Sequence, residues 1–244
     1  MNIVITMAGL GSRFRKKGYN IPKFMIEAKG KTSFYWALAS LKNLQSLNSK
    51  FFFIVRKEDK ATEFIISECD KLRIEKPIII EIDSLTDGQA TTALYAKDFW
   101  DASAPILIYN IDTHVEPDAL FIPDLKGIDG WVPCFDAPGD SWSFVKLNRE
   151  GFAEELREKT KISDHATIGL YYFSSAELYS VSYDRYYSSQ GREEHGEKYI
   201  APLYNQLIAE GKKIMITDIP FSRVHMMGTP DELEDFMSSN YFLS

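Results

Sequence analysis

The sequence predicts an α/β fold of three layers, with helices on both faces of a mixed, mostly parallel central sheet. Three observations predict it. Short apolar, β-branched runs at Asn2–Thr6, Phe51–Val55 and Pro77–Ile82 alternate with stretches of helical spacing, the pattern of a doubly wound sheet. The first run empties into a glycine-rich turn, Met7-Ala8-Gly9-Leu10-Gly11-Ser12-Arg13, and such turns stand at the carboxyl edge of these sheets, where ligands collect. The chain of 244 residues, 45% hydrophobic and 26% charged, can bury a substantial core as one domain.

Composition narrows the function classes. The formal net charge of −7 argues against a nucleic-acid partner, so a nucleotide site here has to be a local cationic pocket in an acidic body. Cys69 and Cys134 are far apart and each lies in an apolar stretch, so buried reduced thiols are expected rather than a disulfide. A strand begins at residue 2 and no apolar run is long enough to span a bilayer, so no membrane partner is expected and the expected compartment is the cytoplasm.

The first strand is apolar throughout, as a strand buried on both sheet faces must be. The glycine-rich loop after it exposes backbone N–H groups and can wrap phosphate oxygens. Arg13 adds a guanidinium fork suited to phosphate, and Lys23 a second cation behind the rigid Pro22. The glycines alone are equally explained by the sterics of a tight strand-to-helix turn. No Gly-Lys-Ser/Thr closes the loop, so it is not a Walker loop, and Phe14 stands where a dinucleotide fingerprint has its third glycine.

Taken together, Gly9-x-Gly11-x-Arg13 and Pro22-Lys23 resemble the signature loop of the sugar-phosphate nucleotidyltransferase superfamily. That resemblance implies a single Rossmann-like domain over 1–244 of the nucleotide-diphospho-sugar transferase type, with a nucleotide-binding half at 1–112 and an acceptor-binding half at 113–244. It implies that an NMP group passes from a nucleoside triphosphate to a phosphorylated small acceptor, such as a sugar phosphate, with release of pyrophosphate and with Mg²⁺ as cofactor. Arg13 and Lys23 would be catalytic, and Ala8, Gly9, Gly11 and Ser12 would hold the nucleotide. A bacterial capsule or cell-surface polysaccharide pathway is a further expectation of the resemblance.

The elements follow in order. Lys29–Lys31 reads as a turn, Ser33–Leu44 as a helix, Phe51–Val55 as the second strand, Lys60–Leu72 as a helix and Pro77–Ile82 as the third strand. Asp83–Gly88 is a polar loop before a helix that opens at Gln89 and runs towards Trp100. In the family resembled, this segment faces the base, and Gln89 carries donor and acceptors that could read a pyrimidine edge; it reads equally as a surface residue in a first helical turn. Pro105–Tyr109 is the next buried strand, ending in Asn110-Ile111-Asp112. A carboxylate at that strand end is where a hard oxygen ligand for Mg²⁺ is needed, and the family's metal-binding aspartate closes such a strand too. Asp112 otherwise caps the turn before a helix at Pro117. His114 reads as structural.

In the second half, Gly130–Phe135 and Ser143–Leu147 read as strands of a hairpin around Asp136–Asp140. The charged run Glu154–Lys159 is by itself a solvated face. With the glycine-bearing strand Ala166–Phe173 it resembles the family's Glu-Lys segment, which implies that Lys159 meets the acceptor phosphate; Lys161 and Lys146 are rivals. Ser174–Ser189 is a tyrosine-rich helix including Tyr183, Tyr186 and Tyr187, whose rings serve packing or a homodimer contact. The charged segment 190–198 reads as a mobile loop over the acceptor site, and Glu197 corresponds to a family position that contacts the acceptor. Tyr199–Ala209 is an amphipathic helix ended by Gly211, and Lys213–Ile219 a strand. Thr229-Pro230-Asp231-Glu232 is a capping box that starts a last helix. In the family a second metal-binding carboxylate stands just before such a Gly-Thr element. Here Met226-Met227 hold that place, leaving Asp218, His225 or no second ligand.

The expected donor is a pyrimidine triphosphate, CTP first. The alternatives are a glycosyltransferase of the related nucleotide-sugar fold, which would use Asp112 but has no need of Arg13 and Lys23, and a degenerate nucleotide-binding regulatory module.

Overall fold

The first strand, β1 (Asn2–Thr6), is buried on both faces and sits near the centre of a ten-stranded sheet. The computed structural model describes residues 1–45, 48–189, 191–194 and 196–242. Within the segment expected as a loop over 190–198, positions 190 and 195 lie outside the described residues.

After β1 come α1 (Ser12–Lys16), a single 3₁₀ turn at Lys23–Met25, the small hairpin β2 (Glu27–Ala28) and β3 (Lys31–Thr32), and α2 (Ser33–Ala39). Then follow β4 (Lys50–Arg56), α3 (Thr62–Lys71), β5 (Ile78–Ile82), α4 (Gln89–Leu94), β6 (Ile106–Asn110) and β7 (Thr113–Val115). The second half adds β8 (Gly130–Asp136), β9 (Ser143–Leu147), β10 (Ala153–Glu158), β11 (His165–Thr167), β12 (Leu170–Phe173), α5 (Ala176–Tyr187), α6 (Leu203–Ala209), β13 (Ile214–Ile219), β14 (Val224–Met226) and α7 (Pro230–Ser238).

The strand order is β10-β9-β11-β8-β12-β6-β1-β4-β5, with β13 parallel to β8. The block β6-β1-β4-β5 is wholly parallel, whereas β12 runs antiparallel to β6 and opens the mixed half. Alternate side chains of one strand serve opposite layers. Ile3, Ile5 and Phe53 pack under α2 and α3 with Phe34, Leu38 and Ile65. Val4, Phe52 and Ile54 pack under α4, α5 and α6 with Ala93, Tyr179 and Leu207. This is the three-layer Rossmann-like α/β arrangement. A third, smaller cluster of Phe14, Trp36, Met227, Leu233 and Phe236 ties α7 to the glycine-rich loop. Among the described residues no helix is long and apolar enough to cross a membrane, and both cysteines are buried and unpaired with each other.

Four expectations are corrected. The helix read over Ser33–Leu44 stops at Ala39, because the chain tightens into i→i+3 turns and the Ser40 hydroxyl serves His114 and the Val115 amide instead. The strands Gly130–Phe135 and Ser143–Leu147 do not form a hairpin, because β11 inserts between them; β9 turns back into β10 instead. The strand over Ala166–Phe173 breaks in two at Gly169, whose φ of +79° takes it out of extended backbone. The helix over Tyr199–Ala209 begins only at Leu203, since Pro202 is pre-organised to start a helix and cannot sit in its interior. The tyrosines of α5 point inwards: Tyr179 Oη donates to the Ala90 carbonyl at 2.5 Å, Tyr187 Oη donates to the Tyr199 carbonyl at 2.7 Å, and Tyr183 Oη lies 2.7 Å from Thr91 Oγ1. Packing, rather than an exposed face, uses them.

Candidate active site

β1 delivers residues 7–11 to the carboxyl edge of the sheet as an open turn. Gly11 has φ of 60° and precedes α1; a Cβ there would lie only 3.7 Å from Lys23 Cβ. The left-handed backbone calls for a glycine, whereas the approach of Lys23 is an ordinary van der Waals contact. Pro22, fixed at φ −55°, sets the 3₁₀ turn that carries Lys23 back beneath the loop. Across the gap, Asp112 follows β6, its carbonyl accepting the Met227 N–H at 2.8 Å. Lys23 Nζ meets Asp112 Oδ2 at 2.5 Å, with the two side chains 20% and 26% exposed. The two residues singled out from separate motifs are therefore one ion pair.

Two clefts adjoin at that pair. The first, of about 560 Å³, is lined by the loop 6–12, Lys23, residues 85–89 and Glu197. The second, of about 540 Å³, is lined by Arg13, Trp142, Glu158, Lys159, Tyr199 and Glu232 among others. Gln89, Asn110 and Asp112 line both. Ala8, Gly9, Gly11, Ser12, Gln89, Lys23 and Asp112 are thus brought together, and Lys159 stands in the adjoining cleft. Lys161 pairs with Asp164 at 3.0 Å and Lys146 with Glu154 at 2.7 Å, and neither lines a cleft. Arg13 lies on the second cleft rather than the first, exposed and with no ion-pair partner among the described residues. Glu197, expected on the acceptor side, lines the first cleft instead.

The chain around Lys198 explains the position of Glu197. Lys198 N–H donates to the Asp87 carbonyl at 2.7 Å, and Ala90 N–H donates to the Lys198 carbonyl at 3.0 Å. The Lys198 ammonium also pairs with Asp87 at 2.7 Å. Gly88, at φ +145°, faces this segment so closely that a Cβ would lie 2.3 Å from the Lys198 carbonyl oxygen. Gln89 then opens α4 with its Nε2 donating to Thr6 Oγ1 at 3.0 Å, so its carboxamide is anchored to the end of β1.

In the second cleft Lys159 Nζ donates to Tyr199 Oη at 2.7 Å. Partial burial lowers the Lys159 pKa, but the Tyr199 hydroxyl together with Glu158 and Glu197 outweighs it, and the net shift is upward. Glu158 is buried with its carboxylate on the Ser143 hydroxyl, although its charged neighbours look solvated in sequence. Sequence reasoning did not single out Tyr199, Glu158 as a buried group, or Asn110 as a site residue. Asn110 Oδ1 is buried with no hydrogen-bond partner among the described residues, and its carboxamide packs against Gly169.

The donor set at Asp112 suits a hard cation. It offers carboxylate and amide oxygens, with no thiolate or imidazole lining the clefts among the described residues. Gly228 leaves a cradle there, since a Cβ would lie 3.2 Å from Asp112 Oδ2. Of the two sequence candidates for a second ligand, Asp218 pairs with His165 at 2.8 Å and His225 with Glu116 at 3.1 Å, and neither lines a cleft. No group of three or more His, Cys, Asp or Glu side chains is placed to hold a metal among the described residues.

No family model matches the chain, and no curated protein sequence matches it. Solved structures do. The chain is 36% identical to the nucleoside-diphosphate-sugar pyrophosphorylase from Vibrio cholerae RC9, covering 97% of this chain and 100% of that one, with a TM-score of 0.89. The inositol-1-phosphate CTP transferase from T. maritima shares the fold at 12% identity, with 99% and 98% covered and a TM-score of 0.73. So does a Bacillus anthracis protein solved with sucrose and assigned as a glucose-1-phosphate thymidylyltransferase, at 16% identity, 100% and 98% covered and a TM-score of 0.75.

Proposed function

The chain belongs to the sugar-phosphate nucleotidyltransferases, and from that premise we propose that it transfers an NMP group from a pyrimidine triphosphate, CTP first, to a phosphorylated small acceptor. One observation carries the reading: two clefts meet at the Lys23–Asp112 pair and share Gln89, Asn110 and Asp112. A transfer between two bound phosphates needs that geometry, because each substrate must be held separately with its reacting phosphate at a common point. The half 1–112 supplies most of the nucleotide cleft and the half 113–244 most of the acceptor cleft; Gly196 and Glu197 cross into the first, and Arg13, Gln89, Asn110 and Asp112 into the second.

An acceptor phosphate oxygen attacks the α-phosphorus; the bond from α-phosphorus to the bridging oxygen breaks, and pyrophosphate leaves with that oxygen. Such a displacement needs alignment and charge neutralisation more than covalent help. The loop amides of residues 8–12 receive the triphosphate oxygens. Arg13 neutralises the β and γ phosphates, and Lys23, which lines the first cleft and pairs with the Asp112 common to both, bridges the α-phosphate and the acceptor. Lys159, held by Tyr199, meets the acceptor phosphate. Mg²⁺, held by Asp112, would supply further neutralisation of phosphate charge when bound. Gln89 reads the base, and the cytoplasm is the proposed compartment.

A thermal-shift titration of the nucleoside triphosphates with and without Mg²⁺ tests this, because ligand binding to the native state raises the midpoint. A metal-dependent rise with one pyrimidine triphosphate, followed by pyrophosphate release with a phosphorylated acceptor, is expected. A rise with nucleoside diphosphate sugars alone would refute it.

A further inference from the structure

Gly228 stands just before the N-cap of α7, and a Cβ built there would lie 3.2 Å from Asp112 Oδ2 and 3.3 Å from Glu232 Oε2. One small volume is therefore flanked by two carboxylate oxygens, one from the end of β6 and one from the first turn of α7. The backbone at Gly228 is not left-handed, so turn geometry does not demand a glycine. What the glycine does is leave the space between the carboxylates open.

Glu232 is not consumed by capping. The cap of α7 is made by Thr229, whose Oγ1 accepts the Glu232 backbone N–H at 3.2 Å. The Glu232 carboxylate has no hydrogen-bond or ion-pair partner among the described residues, although it lines the same cleft as Asp112. Two carboxylates facing one gap disfavour each other's charge unless a cation lies between them. The Lys23 ammonium pairs with Asp112 alone. Asn110 supplies an independent observation, because it lines both clefts and its Oδ1 is buried without a donor among the described residues. Met226, the residue that holds the sequence position expected for a carboxylate, offers a thioether that takes the Thr113 hydroxyl at 3.7 Å, a poor ligand for a hard cation.

From this geometry we infer that Glu232 is the second carboxylate of the divalent-cation site, facing Asp112 across the opening left by Gly228. The inference deepens the nucleotidyltransferase reading and rests on it. The ion is of the hard, oxygen-liganded class, Mg²⁺ or Mn²⁺, and its remaining positions go to phosphate oxygens and water.

The test is a titration of Mn²⁺, followed by the electron paramagnetic resonance of the free ion, on the purified full-length protein with and without CTP. Glu232→Gln keeps a capping-box residue at this helix position, so its thermal midpoint should match wild type while its Mn²⁺ affinity falls at least about tenfold. Asp112→Asn should lose affinity too. Gly228→Ala, whose Cβ would enter the gap at 3.2 and 3.3 Å from the two carboxylate oxygens, should weaken Mn²⁺ binding as well. Wild-type Mn²⁺ affinity in Glu232→Gln or in Gly228→Ala would overturn the inference. CTP binding in the absence of metal and pyrophosphate release by the wild type are measured on the same preparation. They report on the transferase reading separately, so a failure of Glu232 alone leaves that reading standing.

Discussion

At Gly169 the backbone has φ of +79°, and a Cβ built there would lie 2.0 Å from Asn110 Nδ2 and 2.6 Å from Asn110 Cγ. Gly169→Ala therefore meets two costs of different origin. Left-handed backbone costs a residue with a Cβ about 1–2 kcal/mol. Displacing a packed side chain costs about 1–3 kcal/mol more. For a chain of this size each kcal/mol lowers the thermal midpoint by roughly 2–4 °C, so the combined fall is roughly 4–20 °C. Asn110→Gly removes the obstacle and leaves the backbone conformation as it is. In the double variant the alanine should cost only its backbone share, giving a coupling of at least about 1 kcal/mol in a double-mutant cycle read by denaturant unfolding. Strict additivity of the two substitutions would refute the reasoning, because it would mean that Asn110 is not what Gly169 makes room for.

Lys23→Ala should lower kcat/KM by at least about 10²–10³-fold, the scale of losing one preorganised charge contact to a transition state. Its midpoint should fall far less than its activity, since Asp112 keeps access to water when its partner is removed; an active variant in a pyrophosphate-release assay would exclude Lys23 from the chemistry. Arg13→Ala should raise KM for the triphosphate roughly tenfold or more, the worth of a charge-assisted hydrogen bond, and a rise confined to the acceptor's KM would move Arg13 to the other substrate. Lys159→Ala should weaken the acceptor and leave the CTP-induced thermal shift as in wild type; loss of that shift would contradict the division between clefts. Burial, reinforced by His225, lowers the His114 pKa from 6.5 to about 3, opposed by the Trp36 carbonyl. The folded protein keeps it neutral while the unfolded chain takes a proton below about 6.5, so its contribution is full above that pH and is lost as pH falls towards 3. The midpoint should decline over that window and His114→Gln should flatten the decline; an unchanged slope would assign the acid sensitivity elsewhere.

The parallel half is legible in the sequence because its signals are local. An unbroken apolar run such as Asn2–Thr6 fits only a strand covered on both faces, and Gly9, Gly11, Pro22 and Lys23 stand close enough in sequence to be read as one loop. The mixed half is less legible, because apart from β9 with β10 its strands do not pair with their sequence neighbours. Nothing around Asp136–Asp140 reveals that β11, more than twenty residues later, will separate β8 from β9. Helix ends fail for a similar reason: Ser40 leaves the α2 pattern to serve His114 and Val115, which are distant in sequence. At the site, Glu232 reads as a capping box because Thr229 and Glu232 satisfy that pattern, and only the fold brings Asp112 opposite. Glu158 sits among solvated charges in sequence, and the alternation of β10 at the sheet edge turns it inward. Gly88 carried a usable signal, a glycine just before a helix start, but its partner Lys198 could not be named from the chain alone.

The bonds between Lys198 and the Asp87–Ala90 segment also bear on how the molecule is made. A chain emerging from the ribosome presents β1, β4, β5 and β6 early, and these can pair with one another as they appear. The loop at the mouth of the first cleft cannot be finished then, because the backbone groups that close it arrive with residue 198, after β12 and α5 have been synthesised. A nascent chain cut short before that point lacks these groups and also α6, which covers one face of the parallel sheet. The backbone frame of the first cleft is thus completed late in translation.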